Sequence, residues 1–324
     1  MKRASLCALT LLLAAGPARA WRLWGEPSDR KIRPVQELSD ARKPAEVLAA
    51  LTPQFMQTLR GTDLRQAYVL MGDNLTILRR PDQALSTYQL GVSLFPKNVD
   101  LLTRQAGLLH DAGLNEQAKP LFLKALQFEP QHFGAHKALA EIEMSLGFPD
   151  RAAEHYEIAL EVLEKRADVW RDYAEVLLSL GDSKTALLAI ERALALEPSS
   201  KDLLVLKAFI LRVAGDHAGA VNCLDLALAQ GAGAGAERAK ALWLLEAGRG
   251  AEAAAAAEKV LAETPGDAAA LWVLARVHLA AGRPGKAAEA LTLAAGAAKR
   301  DSFSLRAATA LRAKARELQE LRLR

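Results

Sequence analysis

The chain has 324 residues, 51% of them apolar and 5% aromatic, with 42 basic and 38 acidic side chains. Alanine and leucine dominate, which suits closely packed helices and gives little support to a sheet rich in β-branched and aromatic residues. A net charge of +4 argues against the basic field of a nucleic-acid binder, and two cysteines argue against a disulfide-stapled fold.

Met1 to Ala20 opens with Lys2 and Arg3, continues with an apolar run from Leu6 to Ala15 and ends in Ala18-Arg19-Ala20. A basic start, a short apolar core and an Ala-x-Ala site spell a secretory signal peptide, with cleavage expected after Ala20. The run is shorter than the roughly 20 apolar residues that span a bilayer. Cleavage leaves 39 basic against 38 acidic residues and Cys223 as the lone thiol. With no intramolecular disulfide available, Cys223 is read as a small buried hydrophobe.

Residues 21–44 hold charges, Pro27 and Pro34 but no sustained period, and are expected to form an extended arm in which Trp21 and Trp24 are candidate anchors. Helical spacing resumes over 45–64, interrupted by Pro53, as a leading segment. From Arg65 onward alanine recurs at 84, 118, 152, 186, 220, 253 and 287, a step of 34 broken once by a step of 33. Twelve residues before each stands Gly72, Ala106, Ala140, Ala174, Ala208, Ala241 or Ala275. Such small positions are needed where two helices cross closely. Gly113, Gly147, Gly181, Gly215, Gly248 and Gly282 recur between the helices, with Arg79 alone breaking the series. Pro81, Pro149 and Pro284 open second helices, and Pro96, Pro130, Pro198 and Pro265 close units.

These residues resemble the tetratricopeptide repeat, a 34-residue helix–turn–helix with small residues at positions eight, twenty and twenty-seven. A large apolar residue, here Tyr88, Phe122, Tyr156, Ile190, Leu224 and Leu291, takes position twenty-four, and Ala257 departs from it. The resemblance implies an all-α right-handed superhelical solenoid of seven units, at 65–98, 99–132, 133–166, 167–200, 201–233, 234–267 and 268–301. A basic helix over 302–324 is read as the cap that a terminal repeat needs. Its arginines leave contact with an acidic partner or an anionic membrane surface open. The 33-residue step falls at Gln230-Gly231-Ala232-Gly233-Ala234-Gly235, which is expected to be a flexible joint because no strand or Lys-Ser/Thr makes it a phosphate loop.

His132 and His136 share metal-ligand spacing but lack the glutamate of a zinc-protease motif, and no metal or other cofactor is expected. Glycine-elbow, Walker and paired-cysteine motifs are missing from the sequence, so no catalytic centre is expected. Asn74-Leu75-Thr76 spells a glycosylation sequon inside a helical stretch.

The resemblance places a partner groove along the first helix of each unit. Carried onto this chain, its lining includes Asp73, Thr76, Thr103, His110, Lys137, Glu141, Arg171 and Glu175, then Phe209, Arg212, Arg238, Trp272 and Arg276. The last five combine the aromatic and arginine side chains enriched at binding hot spots and are expected to form a pocket for an acidic or aromatic-containing peptide. The implied function is a non-enzymatic, exported, periplasmic or outer-membrane-associated scaffold in a secretion, pilus, polysaccharide-export or cytochrome-maturation assembly. The alternatives are an activating subunit of an envelope enzyme and, third, a helical-repeat nucleic-acid binder.

Overall fold

The structure, a computed structural model, describes residues 31–297 together with Ala313, Lys314 and Glu317. The signal peptide, Trp21, Trp24 and nearly all of the 302–324 helix lie outside the described residues. Among the described residues there are seventeen or more helical segments and no strand. The chain divides into two compact units, 1–146 and 147–324.

The first unit opens with α1 (Arg33–Asp40), α2 (Pro44–Ala50) and α3 (Pro53–Thr58). Residues 33–40 are therefore helical, where an extended arm was expected. The prolines start helices here instead of breaking them: Pro34, Pro44 and Pro53 each occupy the first turn, where no N–H is required. Thr52 caps α3, its hydroxyl accepting from the Phe55 N–H at 3.2 Å. Ile32, Val35, Val47, Leu51 and Leu59 pack with Ala67 and Leu70 into one cluster, which holds the leading segment against α4 (Gly61–Ile77). That helix begins four residues ahead of the expected start of the first repeat at Arg65.

Helices α5 (Pro81–Leu94), α6 (Val99–Asp111), α7 (Asn115–Phe128) and α8 (Phe133–Ser145) complete the unit. Between α4 and α5 the chain turns on Arg79 at φ +59°, in the left-handed region that Gly113 and its counterparts occupy at the other turns. The Arg79 N–H reaches Thr76 O at 3.0 Å and the Arg80 N–H reaches Leu75 O at 2.9 Å, which satisfies the last carbonyls of α4. A side chain in that conformation costs about 1–2 kcal/mol. Arg79→Gly is expected to raise the unfolding free energy by about 1 kcal/mol, after subtraction of glycine's larger entropy in the unfolded chain. An unchanged or lower urea midpoint would contradict this.

The second unit contains α9 (Pro149–Leu163), α10 (Ala167–Ser179), α11 (Ser183–Leu196), α12 (Lys201–Val213) and α13 (His217–Ala229). It continues with α14 (Ala234–Glu246), α15 (Gly250–Glu263), α16 (Ala268–Ala280) and α17 (Pro284–Ala297). The recurrent alanines at 84, 118, 152, 186, 220, 253 and 287 are all fully buried. Cys223 is buried as well, and burial pushes its thiol pKa up, which suits a packing role over a reactive one.

The glycine-rich stretch 230–235, expected to be a flexible joint, forms the short connection between α13 and α14. Gly231 takes φ +81° and the Ala232 N–H returns to Ala227 O at 2.9 Å, so this is an ordinary glycine helix stop. Ala232 also packs into a core cluster that runs from Ala208 to Val273 across the connection. The division into units falls at Leu146/Gly147 instead.

Candidate functional site

In the first unit, α6 and α8 bring four of the anticipated groove residues to one concavity of about 350 Å³: Thr103, His110, Lys137 and Glu141. Its polar wall is a hydrogen-bonded chain. His110 Nε2 lies 3.1 Å from Glu141 Oε2, and the Lys137 ammonium bonds the other oxygen of the same carboxylate. His110 Nδ1 lies 2.7 Å from Asn115 Oδ1, while the Asn115 amide nitrogen donates to Ser145 Oγ at 2.7 Å. The imidazole is thus held from both sides by α7 and α8. Such networks fix side-chain orientation before any ligand arrives.

The floor of the concavity is apolar. Gly107, in the middle of α6, and Phe122, on α7 and only 3% exposed, are among its lining residues. A Cβ added at Gly107 would meet nothing within 4 Å. Helix interiors disfavour glycine by about 1 kcal/mol relative to alanine, so this one costs stability, and the space at its Cβ position is open.

Other anticipated positions are spent on the fold. The Tyr88 hydroxyl donates to Asp73 Oδ1 at 2.5 Å, and Arg104 pairs with Asp73 Oδ2 at 3.1 Å. Burial raises the Asp73 pKa against the opposing pull of both partners. Thr76 returns its hydroxyl to the carbonyl of Gly72, as Thr103 within the concavity does to that of Val99. Asn74 of the sequon is buried and donates to Leu70 O at 2.8 Å, a poor position for an attached glycan. His132 and His136 each have a partner of their own: His132 Nδ1 accepts from the Ala135 N–H at 3.0 Å as the cap of α8, and His136 Nε2 contacts Pro130 O at 2.9 Å.

In the second unit Arg171 is paired with Asp172 at 2.6 Å, and the Glu175 pKa is raised by burial and then by the Asp172 charge. The five residues expected to share one pocket separate into three groups. Phe209 stacks edge-on against Trp243 at 6.1 Å, and the Arg212 guanidinium lies 5.3 Å from the centre of each ring while reaching Glu246 at 3.3 Å. Trp272 is 37% exposed, with Arg276 over its ring at 5.5 Å. Arg238 is committed elsewhere: its Nε and Nη2 bind Asp267 Oδ2 at 2.8 and 2.6 Å, and Asp267 caps α16 through the Ala270 N–H.

Trp243 and Glu246 were not among the anticipated residues. Each stands 34 positions after its partner, Phe209 and Arg212 respectively, which is one repeat period. That spacing was the available signal. The single deletion between them moves Trp243 from the ninth to the tenth position of its unit, off the expected lining.

Comparison with known proteins agrees with this architecture. Residues 137–201, 174–237 and 244–314 match family models described as tetratricopeptide repeat, and together they span just over half of the chain. Tetratricopeptide repeat protein 8 of Caenorhabditis elegans is 23% identical over 195 residues, which is 49% of this chain and 38% of that protein. The human protein O-mannosyl-transferase TMTC3 is 25% identical over 166 residues, 46% of this chain and 18% of its own length. The chain thus spans well under half of the curated relatives it matches. Among solved structures, a tetratricopeptide repeat protein from Parabacteroides merdae superposes with a TM-score of 0.52 at 14% identity, covering 89% of this chain and 98% of that one. Pseudomonas aeruginosa pilF superposes with a TM-score of 0.53 at 16% identity, covering 64% and 94%. With its buried 34-residue alanine ladder, its glycine-stopped helix pairs and these matches, the chain belongs to the tetratricopeptide repeat family.

Proposed function

We propose that this protein is an exported, non-enzymatic adaptor of seven repeats that seats a segment of a partner protein in its groove and serves assembly in the cell envelope. The observation that carries the binding reading is the open seat at Gly107. A helix interior carries a glycine with open space at its Cβ position beside a preset row of His110, Lys137 and Glu141. The partner segment places an apolar or aromatic side chain over Phe122 and its polar neighbours along that row. In the second unit, Arg212 between two rings and Arg276 over Trp272 favour acidic or aromatic groups on the partner. Export rests on the basic, apolar and Ala-x-Ala signature of Met1 to Ala20.

A Cβ added at position 107 meets nothing within 4 Å, so Gly107→Leu is expected to keep the fold, checked by an unchanged thermal melt, and to lose partner binding. With a photocrosslinking amino acid at Thr103, the intact envelope yields a crosslinked partner from the wild-type background and none from the Gly107→Leu background. Equal crosslinking in both backgrounds sinks the groove assignment. N-terminal sequencing of the recovered protein is expected to begin at Trp21, and an intact Met1 would overturn export.

A further inference from the structure

The second unit carries a cavity of about 120 Å³ between the end of α13, the first turn of α14 and the last turn of α15. Leu228 and Val260 are its apolar lining, and Glu237, Lys259 and Glu263 its charged one. Glu237 is the unusual member. The fourth position of the other units holds Tyr68, Leu102, His136, Trp170, Leu204 or Leu271, all buried or half-buried and none of them a carboxylate. Here an acid takes that packing position and is only 9% exposed.

Burying a carboxylate is costly unless its oxygens are bonded. Glu237 Oε1 is out of contact with solvent and accepts no hydrogen bond. Lys259 Nζ stands 3.6 Å from it, an ion pair beyond hydrogen-bond reach, and the Lys259 side chain is itself 69% exposed. The pair is therefore loosely held. Helix ends add to the polarity of the site: the first turn of α14 carries Glu237 and favours its negative charge, while the last turn of α15, which carries Val260 and Glu263, favours a cation. The residue just ahead of the first helix is Asn98, His132, Arg166, Ser200 or Asp267 in five other units. In this unit it is Gly233, which lines the cavity without a side chain and where an added Cβ would meet nothing within 4 Å.

We propose that this cavity binds the end of an alkylammonium chain, the ammonium donating to Glu237 Oε1 and to the Glu263 carboxylate and the methylene stem lying against Leu228 and Val260. An ammonium brings three donors and a positive charge to two carboxylates, and it displaces the loosely held Lys259 into solvent. The volume holds about four water-sized groups at about 30 Å³ each, which suits a short stem with one polar end. Two acids against one lysine in the lining disfavour an anion.

The test titrates the full chain with butylammonium chloride by calorimetry, with tetramethylammonium chloride and sodium butyrate at equal ionic strength as controls. Butylammonium is expected to saturate one site, and tetramethylammonium, which has no N–H, and butyrate to bind at least tenfold more weakly. Glu237→Gln is expected to lose at least tenfold in affinity, and Lys259→Met, which removes the competing ammonium, to gain at least threefold. Unchanged circular-dichroism spectra establish that both variants fold. No saturable binding in either the wild type or Lys259→Met, wild-type affinity in Glu237→Gln, or equal binding of tetramethylammonium overturns the proposal, and tighter binding of butyrate overturns it in favour of an anion. Nα-acetyl-lysine methylamide separates the two sources of such a group: binding within threefold of butylammonium assigns the site to a lysine side chain of a partner, and weaker binding assigns it to a free amine. Gly107→Leu is expected to bind butylammonium as the wild type does, which separates this cavity from the groove reading.

Discussion

Phe122→Ala is expected to lower the unfolding free energy of the first unit by about 3–5 kcal/mol, the range for deleting a buried phenylalanine ring. Phe122 is 3% exposed and packs among Ala106, Leu109, Ala118, Ala135, Leu139 and Ile142. Three of these neighbours are alanines with no side chain to swing into the void, so the cavity cannot collapse cheaply. Native domains are stable by only about 5–15 kcal/mol, which makes the loss a large fraction of the total. Because repeat arrays lose stability unit by unit, the change is best read by hydrogen exchange over 99–146 together with a urea titration. Phe122→Leu keeps most of the volume and should cost less than about 1.5 kcal/mol. Wild-type protection in the alanine variant would show that the ring is not a core element. The same ring lines the concavity together with Gly107, so partner binding should fall in both variants, and in the leucine variant with the smaller stability loss.

The packing of the array was legible in the sequence because it is set by side-chain volume at a fixed period. Alanine at every thirty-fourth residue has one physical reading, a close helix crossing, and those alanines are fully buried. The turn series was equally legible, and its single exception shows that the geometry comes first: Arg79 adopts the glycine conformation because the connection demands it. Helix α1 replaces part of the expected arm because Pro34 lies in its first turn, and eight residues are too short for a sustained period to show. The division at Leu146/Gly147 leaves no mark, since Gly147 matches the other turn glycines.

The candidate site was legible in part. The Thr103, His110, Lys137 and Glu141 group follows from groove positions alone, as the structure brings all four to one concavity. The fates of Asp73 and Arg238 depended on partners that periodicity does not supply. Arg104 lies 31 residues after Asp73, and Asp267 lies 29 residues after Arg238 in a loop, where its capping role decides its orientation. Glycine was also undervalued. Gly107 carries no side chain to be scored as a contact, yet the space at its Cβ position is open within the concavity.

Gly72→Ala pits two effects against each other, and the packing effect should win. In an exposed helix this change stabilises by about 1 kcal/mol, because alanine gives up less backbone entropy. At Gly72 an added Cβ would lie only 2.2 Å from Tyr88 Cε1 and 2.4 Å from Cζ. The ring has little freedom to retreat: Tyr88 is 2% exposed and its hydroxyl is bonded to Asp73, which Arg104 holds in turn. Either the helices separate or that network breaks, and overpacking of this kind costs about 1–3 kcal/mol. A net loss of that size is expected in the urea midpoint. The chain itself indicates the remedy, since Ala208 and Leu224 occupy the same two positions of another unit and both are fully buried. Adding Tyr88→Leu to Gly72→Ala should therefore cost less than the two single changes summed, by at least about 1 kcal/mol in a double-mutant cycle. If the costs simply add, or if Gly72→Ala alone is stabilising, close contact with Tyr88 is not the reason for glycine at this position.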